Sequence, residues 1–496
     1  MTLTPLITAA EGFPALEQLC NDAQDELVMS FRILDPRTKL RTPELRAKGL
    51  ENWADLLADV ARRGVKLRMI ISDFDPVFTS TLHRNAWRSA SAFAERLQGE
   101  DAQILCAPHG QNAGWLWRMA MRGPIARHME KLRQEEEATL TPVQRTVLKG
   151  AVALRPVTIH QKFAVADGKA AVIGGLDINE RRFDTPEHDR PADETWHDVS
   201  MRVDDADFAA ALRHHFGECW NAALDCDTPC LTGRTERFDT AKKPQAPADL
   251  RVVRTFSAPC SGPARLSPRA AITEHEKAVI GMIGEAERYI YIETQFLRHR
   301  PVAEALAKAG ERSGELQLVV LMPSFPDRVL YEGNDGWDTR HGHALQTEAV
   351  DRVSKAFGDR AAFVSPGQHS ESPEDIPDLL GSGPIYVHSK VTLVDDRVGL
   401  VGSANLNGRS LRWDTEASVM FRRSDAVEDL QRRLASTWLG DHLNGHDRVS
   451  ARTWRQAALA NAAHPPQDRE GFVLPYPQAE GRKFAKSLPV LPADMF

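Results

Sequence analysis

One pattern occurs twice in this chain, and any fold must place both copies. TIHQKFAVADGKAAVIGGLDIN (158–179) returns as YVHSKVTLVDDRVGLVGSANLN (386–407), with Lys, Asp, Gly and Asn at the same offsets from His160 and His388. Matching elements precede each copy. ELVMSFRI (26–33) reads as a strand and leads to ENWADLLADVARRGVKLRMIISD (51–73). There Trp53, Leu56, Leu57 and Val60 follow helical spacing, Gly64 breaks the helix, and a strand follows. RYIYIETQFL (288–297) likewise precedes PVAEALAKAGERSGELQLVVLMP (301–323), with Val302, Ala305, Leu306 and Ala309 on one face and Gly314 as the breaker. Strand, helix, Gly, strand, twice over, predicts an α/β fold of two similar halves.

The expected division is a first half over 1–227, a linker over 228–250, a second half over 251–445 and a Pro-rich tail over 446–496. The linker is polar and carries Pro and Gly, and the tail, with Pro465, Pro466, Pro475, Pro477, Pro489 and Pro492, reads as an irregular strap. The first half has an insertion near 107–150, including GWLWRMAMRG. Trp115 and Trp117 beside Arg118 and Arg122 suit a membrane interface, while the plainer reading is a helix packed on its own domain.

Composition narrows the function class. With 62 Lys+Arg against 69 Asp+Glu, a net charge of −7, the chain has no basic footprint of the kind nucleic acid binding leaves. Six cysteines without paired C-x-x-C spacing read as ordinary thiols rather than a zinc site or a disulfide framework. No Lys or Arg precedes Arg32, so a secretory signal is not expected, and no run approaches the ~18 apolar residues of a membrane span. The expected location is cytoplasmic or peripheral at a membrane, with export by a route that reads no such signal left open.

In a strand, residues i and i+2 share a face, so His160 with Lys162, and His388 with Lys390, each present an imidazole beside an ammonium. Burying such a pair is costly without an anion between them, and phosphate is the natural one. Asp167 and Asp395 fall at hairpin turns, where an architectural role competes with a catalytic one. Gly174, Gly175 and Ser403 end the return strands, where small residues let backbone or hydroxyl approach a phosphate oxygen, and Asn405 could donate to it. Asp198 and Glu416 are the candidates to orient the histidines, expected to pair across the halves, Glu416 with His160 and Asp198 with His388.

The pattern His-x-Lys-x4-Asp-x6-Gly-Ser-x-Asn resembles the duplicated signature of the phospholipase D superfamily. His388, Lys390, Asp395, Gly402, Ser403 and Asn405 fit it fully, and the first copy departs only at Asp177. GGLDINERRFDTPEHD (174–189), TWHDVSMRV (195–203), YIYIETQFL (289–297) and RSLRWDTEASV (409–419) are similar to blocks of the plant and animal catalytic region. The resemblance implies two α/β/α sandwich halves with one active site at their interface. It also implies His160 as nucleophile, His388 as acid and base, Lys162 and Lys390 on the phosphate, Asp167 and Asp395 as the signature acids, and no metal or other cofactor. The expected activity is hydrolysis of the distal phosphodiester of glycerophospholipids at a membrane surface, phosphatidylcholine foremost, with capacity for transphosphatidylation. Membrane attachment is expected from the halves themselves. A cardiolipin-synthase-like phosphatidyltransferase, a phosphodiesterase nuclease and an inactive lipid-binding scaffold are the alternatives.

Overall fold

A computed structural model describes every residue except Met1, Ala151, Arg234, Ala246, Pro489 and Val490. Strands β1 (Thr2–Ile7), β2 (Glu26–Phe31), β3 (Lys66–Ser72), β4 (Ala102–Ala107), β5 (Phe163–Ala166), β6 (Ala170–Gly174), β7 (Trp196–His197) and β8 (Val199–Asp204) come from the first half. All but β7 form one sheet in the order β1-β8-β6-β5-β2-β3-β4. Strands β2, β3 and β4 are parallel, and β5 runs antiparallel to β2.

The second half supplies β9 (Leu250–Ala258), β10 (Arg269–Thr273), β11 (Tyr289–Glu293), β12 (Gln317–Leu321), β13 (Ala361–Glu371), β14 (Ser382–Pro384), β15 (Tyr386–Val387), β16 (Val391–Val394), β17 (Val398–Gly402) and β18 (Glu416–Phe421). Apart from β15, these join in the order β10-β9-β18-β17-β16-β11-β12-β13-β14. Strand β11 repeats the place of β2, beside a parallel partner and an antiparallel one that follows a His-x-Lys segment.

The strand–helix–strand units form where the apolar periodicity places them. The helix Trp53–Arg62 buries Trp53, Leu56, Leu57 and Val60, and Asn52 caps it by accepting from the Asp55 amide. Gly64, at φ +89°, ends it in the left-handed conformation that glycine tolerates. The helix Arg300–Arg312 instead ends on the extended Ser313, before Gly314 is reached. Apolar layers cover the outer face of each sheet. A third and largest core draws Val28, Ile70 and Val165 from one sheet and Tyr291, Val319 and Leu393 from the other. It also takes in the helices Ala206–Asp225 and Ser424–Leu439, so the fold is two α/β/α halves sharing an interior.

The segment after residue 464 is more regular than its prolines suggest. Val473–Pro475 forms strand β19, antiparallel to β13, and Gln478–Phe484 is helical. Phe472, Val473 and Leu474 are buried, so apolar contact drives this pairing, while Pro466 and Pro477 sit at helix starts where a missing N–H costs nothing. All six cysteines are free. Among the described residues no helix is long and apolar enough to cross a membrane.

Candidate active site

The two His-x-Lys segments meet where the halves join, and the joining is reciprocal. Residues Trp196–His197 of β7 pair in parallel with Tyr386–Val387 of β15, and Ile159 bridges Thr415. The backbone amide of His160 therefore donates to the Thr415 carbonyl at 2.8 Å, and that of His388 to the His197 carbonyl at 2.8 Å. The next residue in each case is the acid that meets the imidazole. His160 Nδ1 lies 3.0 Å from Glu416 Oε1, and His388 Nδ1 lies 2.7 Å from Asp198 Oδ2. Each acid thus serves the histidine of the opposite half, and its hydrogen bond leaves Nε2 as the working nitrogen.

The lysines fold back over their own histidines. Lys162 Nζ donates to the His160 carbonyl at 2.6 Å and stands 3.4 Å from His160 Nε2; Lys390 Nζ donates to the His388 carbonyl. Asp177 lies 4.0 Å from Lys162 and 3.7 Å from Arg32, balancing this cationic corner. Burial, then the nearby lysines and arginines, holds both imidazoles well below the ordinary histidine range. Burial also draws Lys390 down to about 7, against the pull of Asp198. It pushes Glu416 up to about 8 and Asp198 up to about 6, although the lysines work the other way.

Several residues quoted only as parts of longer blocks turn out to build the site. Glu293, at the end of β11, accepts hydrogen bonds from Ser389 Oγ at 2.6 Å, Tyr291 OH at 2.6 Å and Trp438 Nε1 at 2.7 Å, and lies 3.2 Å from His197 Nε2. Burial opposes its charge, yet His197 and these donors hold its carboxyl below the usual range. Ser389 lies between His388 and Lys390, so this buried carboxylate ties one catalytic segment to the first half. Trp196 packs against the His388 ring at 5.1 Å between centroids. Arg409 holds Asp414, whose carboxylate accepts from the Thr158 amide at 2.9 Å. Only long-range contacts reveal these roles; the one local signal was a charged residue inside an apolar strand run.

Six of the expected site residues have other partners. Asp167 does not reach the site: its carboxylate accepts from the amides of Gln24, Asp25 and Glu26, at the opposite end of β5. Asp395 does the same for Glu287, Arg288 and Tyr289, so both aspartates clamp turns, which is the architectural alternative that the sequence left open. Gly174 and Gly175 are small for the sake of neighbours rather than of phosphate. A Cβ on Gly174 would overlap Ser200, and one on Gly175 would overlap Asp198 Oδ1. The Ser403 hydroxyl both donates to and accepts from the Ala417 backbone at 3.1 Å, which leaves it spent on the β-strand beside Glu416. Asn405 donates to Gln295 Oε1 at 3.1 Å.

Similarity to known proteins follows the same lines. The family described as "Cardiolipin synthase, PLD-like domain" matches residues 279–438. Phospholipase D1 of Schizosaccharomyces pombe is 24% identical over 360 residues, covering 54% of this chain and 25% of that protein. Phospholipase D zeta 1 of Arabidopsis thaliana is 29% identical over 206 residues, covering 34% of this chain and 18% of that one. This chain thus matches about a quarter or less of the length of these relatives. Among solved structures, the phosphatidylserine synthase of Haemophilus influenzae Rd KW20 aligns over 87% of this chain and 86% of its own. The TM-score is 0.53 at 12% identity, a shared fold. Two reciprocal histidine–acid pairs on a duplicated α/β/α frame, together with these sequence similarities, support the phospholipase D superfamily for this chain.

Proposed function

We propose that the protein is a phospholipase D: it cleaves the distal phosphodiester of glycerophospholipids, phosphatidylcholine foremost, and can pass the phosphatidyl group to an alcohol. The observation that carries this reading is the pair of buried imidazoles, each fixed at Nδ1 by an acid of the other half and flanked by a lysine. His160 is the nucleophile. The Lys162 ammonium, 3.4 Å from its Nε2, disfavours a second positive charge there and keeps the lone pair free. His160 Nε2 attacks phosphorus as the bond to the choline oxygen breaks, giving phosphatidyl-histidine. His388 is the acid and base, supported by its 2.7 Å contact with Asp198. An anionic phosphate beside it raises its affinity for a proton, which it gives to the departing choline oxygen. It then takes a proton from water or an alcohol, whose oxygen displaces Nε2 and frees phosphatidic acid or a phosphatidyl alcohol. The lysines neutralise the non-bridging oxygens throughout.

The test is incubation with mixed phospholipid vesicles and ethanol, and separately with DNA. Choline release and phosphatidylethanol are expected, and His160→Ala or His388→Ala should lower both by about a thousandfold or more. DNA cleavage without lipid turnover overturns the reading. A phosphatidyltransferase with a lipid alcohol as acceptor is the second reading, favoured by the similarity to the cardiolipin synthase family over 279–438. It predicts transfer to phosphatidylglycerol in preference to water.

A further inference from the structure

We infer that the short helix Trp115–Ala120, with the loop that braces it, is an interfacial patch that seats the protein on an anionic phospholipid bilayer beside the active site. The inference deepens the proposed phospholipase reading and rests on it for the identity of the surface. No side chain of this helix is buried, and Trp115, Leu116 and Met119 are 49%, 42% and 61% exposed. Three large apolar side chains in one exposed turn contribute nothing to the core, so packing does not account for them.

The helix is nevertheless held firmly, by polar contacts and by Trp117, which packs inward and leaves Trp115, Leu116 and Met119 exposed. The Gly114 amide donates to the Arg265 carbonyl at 2.6 Å and the Leu116 amide to Pro263 at 3.0 Å. Trp117 Nε1 donates to the Ala264 carbonyl at 2.8 Å, and Arg118 donates to Val152 at 2.9 Å. The patch is therefore a preformed feature spanning both halves.

Its charge selects the partner. Arg118, Arg122 and Arg127 are exposed, and no Asp or Glu occurs from Ala102 to Met129 or from Leu250 to Thr273. In a chain of net charge −7, these two stretches are locally cationic. Exposed indole, aliphatic and thioether groups, with exposed arginines on the same helix and the next, match the acyl–headgroup boundary of an anionic membrane.

Position ties the patch to the chemistry. It follows β4 at the C-terminal end of the parallel strands, and His160 enters the antiparallel β5 from that same end. The Ala113 amide donates to the Leu154 carbonyl at 2.9 Å, so the patch grips the segment that leads into His160. A bilayer touching Trp115 would lie at the strand end from which His160 enters its sheet.

The experiment measures sedimentation with phosphatidylcholine vesicles containing phosphatidic acid, for the full chain and two variants, Leu116→Ser/Met119→Ser and Arg122→Glu/Arg127→Glu. Hydrolysis of a monomeric short-chain phosphatidylcholine is followed in parallel. Each variant is expected to lose about tenfold or more in vesicle partitioning while short-chain hydrolysis stays within about twofold, and salt should weaken binding of the parent. Parent-like partitioning of both variants overturns the inference, as does failure of the parent to bind. A parent dimer that Leu116→Ser/Met119→Ser dissociates overturns it too, since the patch would then join two copies of the chain. Patch-dependent binding without any phospholipid turnover leaves the patch standing and removes the phospholipase reading instead.

Discussion

At the scale of single residues, the buried lysines set how the site responds to pH. Lys390 must be charged to hold a phosphate oxygen, and burial brings the pH at which it loses that charge down to about 7. Both imidazoles, depressed by burial and the neighbouring cations, shed their protons at a pH below the ordinary histidine value. Raising the pH through neutrality therefore removes a needed positive charge, whereas mild acid leaves His160 unprotonated. kcat, which reports the substrate complex where the bound phosphate sustains the His388 proton, should decline on the alkaline side as Lys390 loses its charge. In Lys390→Arg the guanidinium stays charged, so the alkaline limb should move up by about a unit or more even though the peak rate falls. An alkaline limb at the same pH in parent and variant would show that another group governs it. His160, His388 and their lysines were legible in the sequence because the motif recurs with the same offsets, although the expected strands begin only after Lys162 and Lys390. Glu293 was not, because a lone acid in an apolar run looks the same whether it is a surface residue or a buried hub.

At the scale of elements, each motif aspartate secures a hairpin to its neighbouring strand. Asp395 and Asp396, at φ +54° and +52°, form the turn between β16 and β17, and Asp395 accepts amide hydrogen bonds at 2.7, 2.7 and 2.8 Å from the start of β11. Asp167, at φ +52°, repeats this for β2. A buried carboxylate with three amide donors leaves all three unpaired when removed. Asp395→Ala should therefore cost about 2–4 kcal/mol of stability, read as a lower Tm or denaturant midpoint. kcat of the folded variant should stay within severalfold of the parent, and a collapse of kcat at unchanged Tm would return Asp395 to the chemistry. The turn was visible as Asp-Gly and Asp-Asp between apolar runs. The clamp was not, because its partners lie 106 to 108 residues away in the chain.

At the scale of the whole molecule, the halves share more than a boundary. The largest apolar core takes residues from both sheets, Arg433 pairs with Glu11 across the chain, and Glu293 of the second half meets His197 of the first. Because neither half buries this surface alone, unfolding should be one cooperative transition, with calorimetric and van't Hoff enthalpies in agreement. Two separated transitions in scanning calorimetry would contradict that. The sequence alone determined that there are two copies of one α/β unit, which strands follow the His-x-Lys pairs, and where the hairpins turn. Those features follow from periodicity and spacing among near neighbours, which backbone geometry converts directly into faces and turns. The tertiary structure puts in contact the pairs expected from the sequence, Glu416 with His160 across 256 residues and Asp198 with His388 across 190. It alone moved Asp167 and Asp395 out of the site and left Trp115, Leu116 and Met119 facing outward. Such outcomes depend on how two sheets dock, and docking is set by complementarity of whole surfaces rather than by any local run of residues.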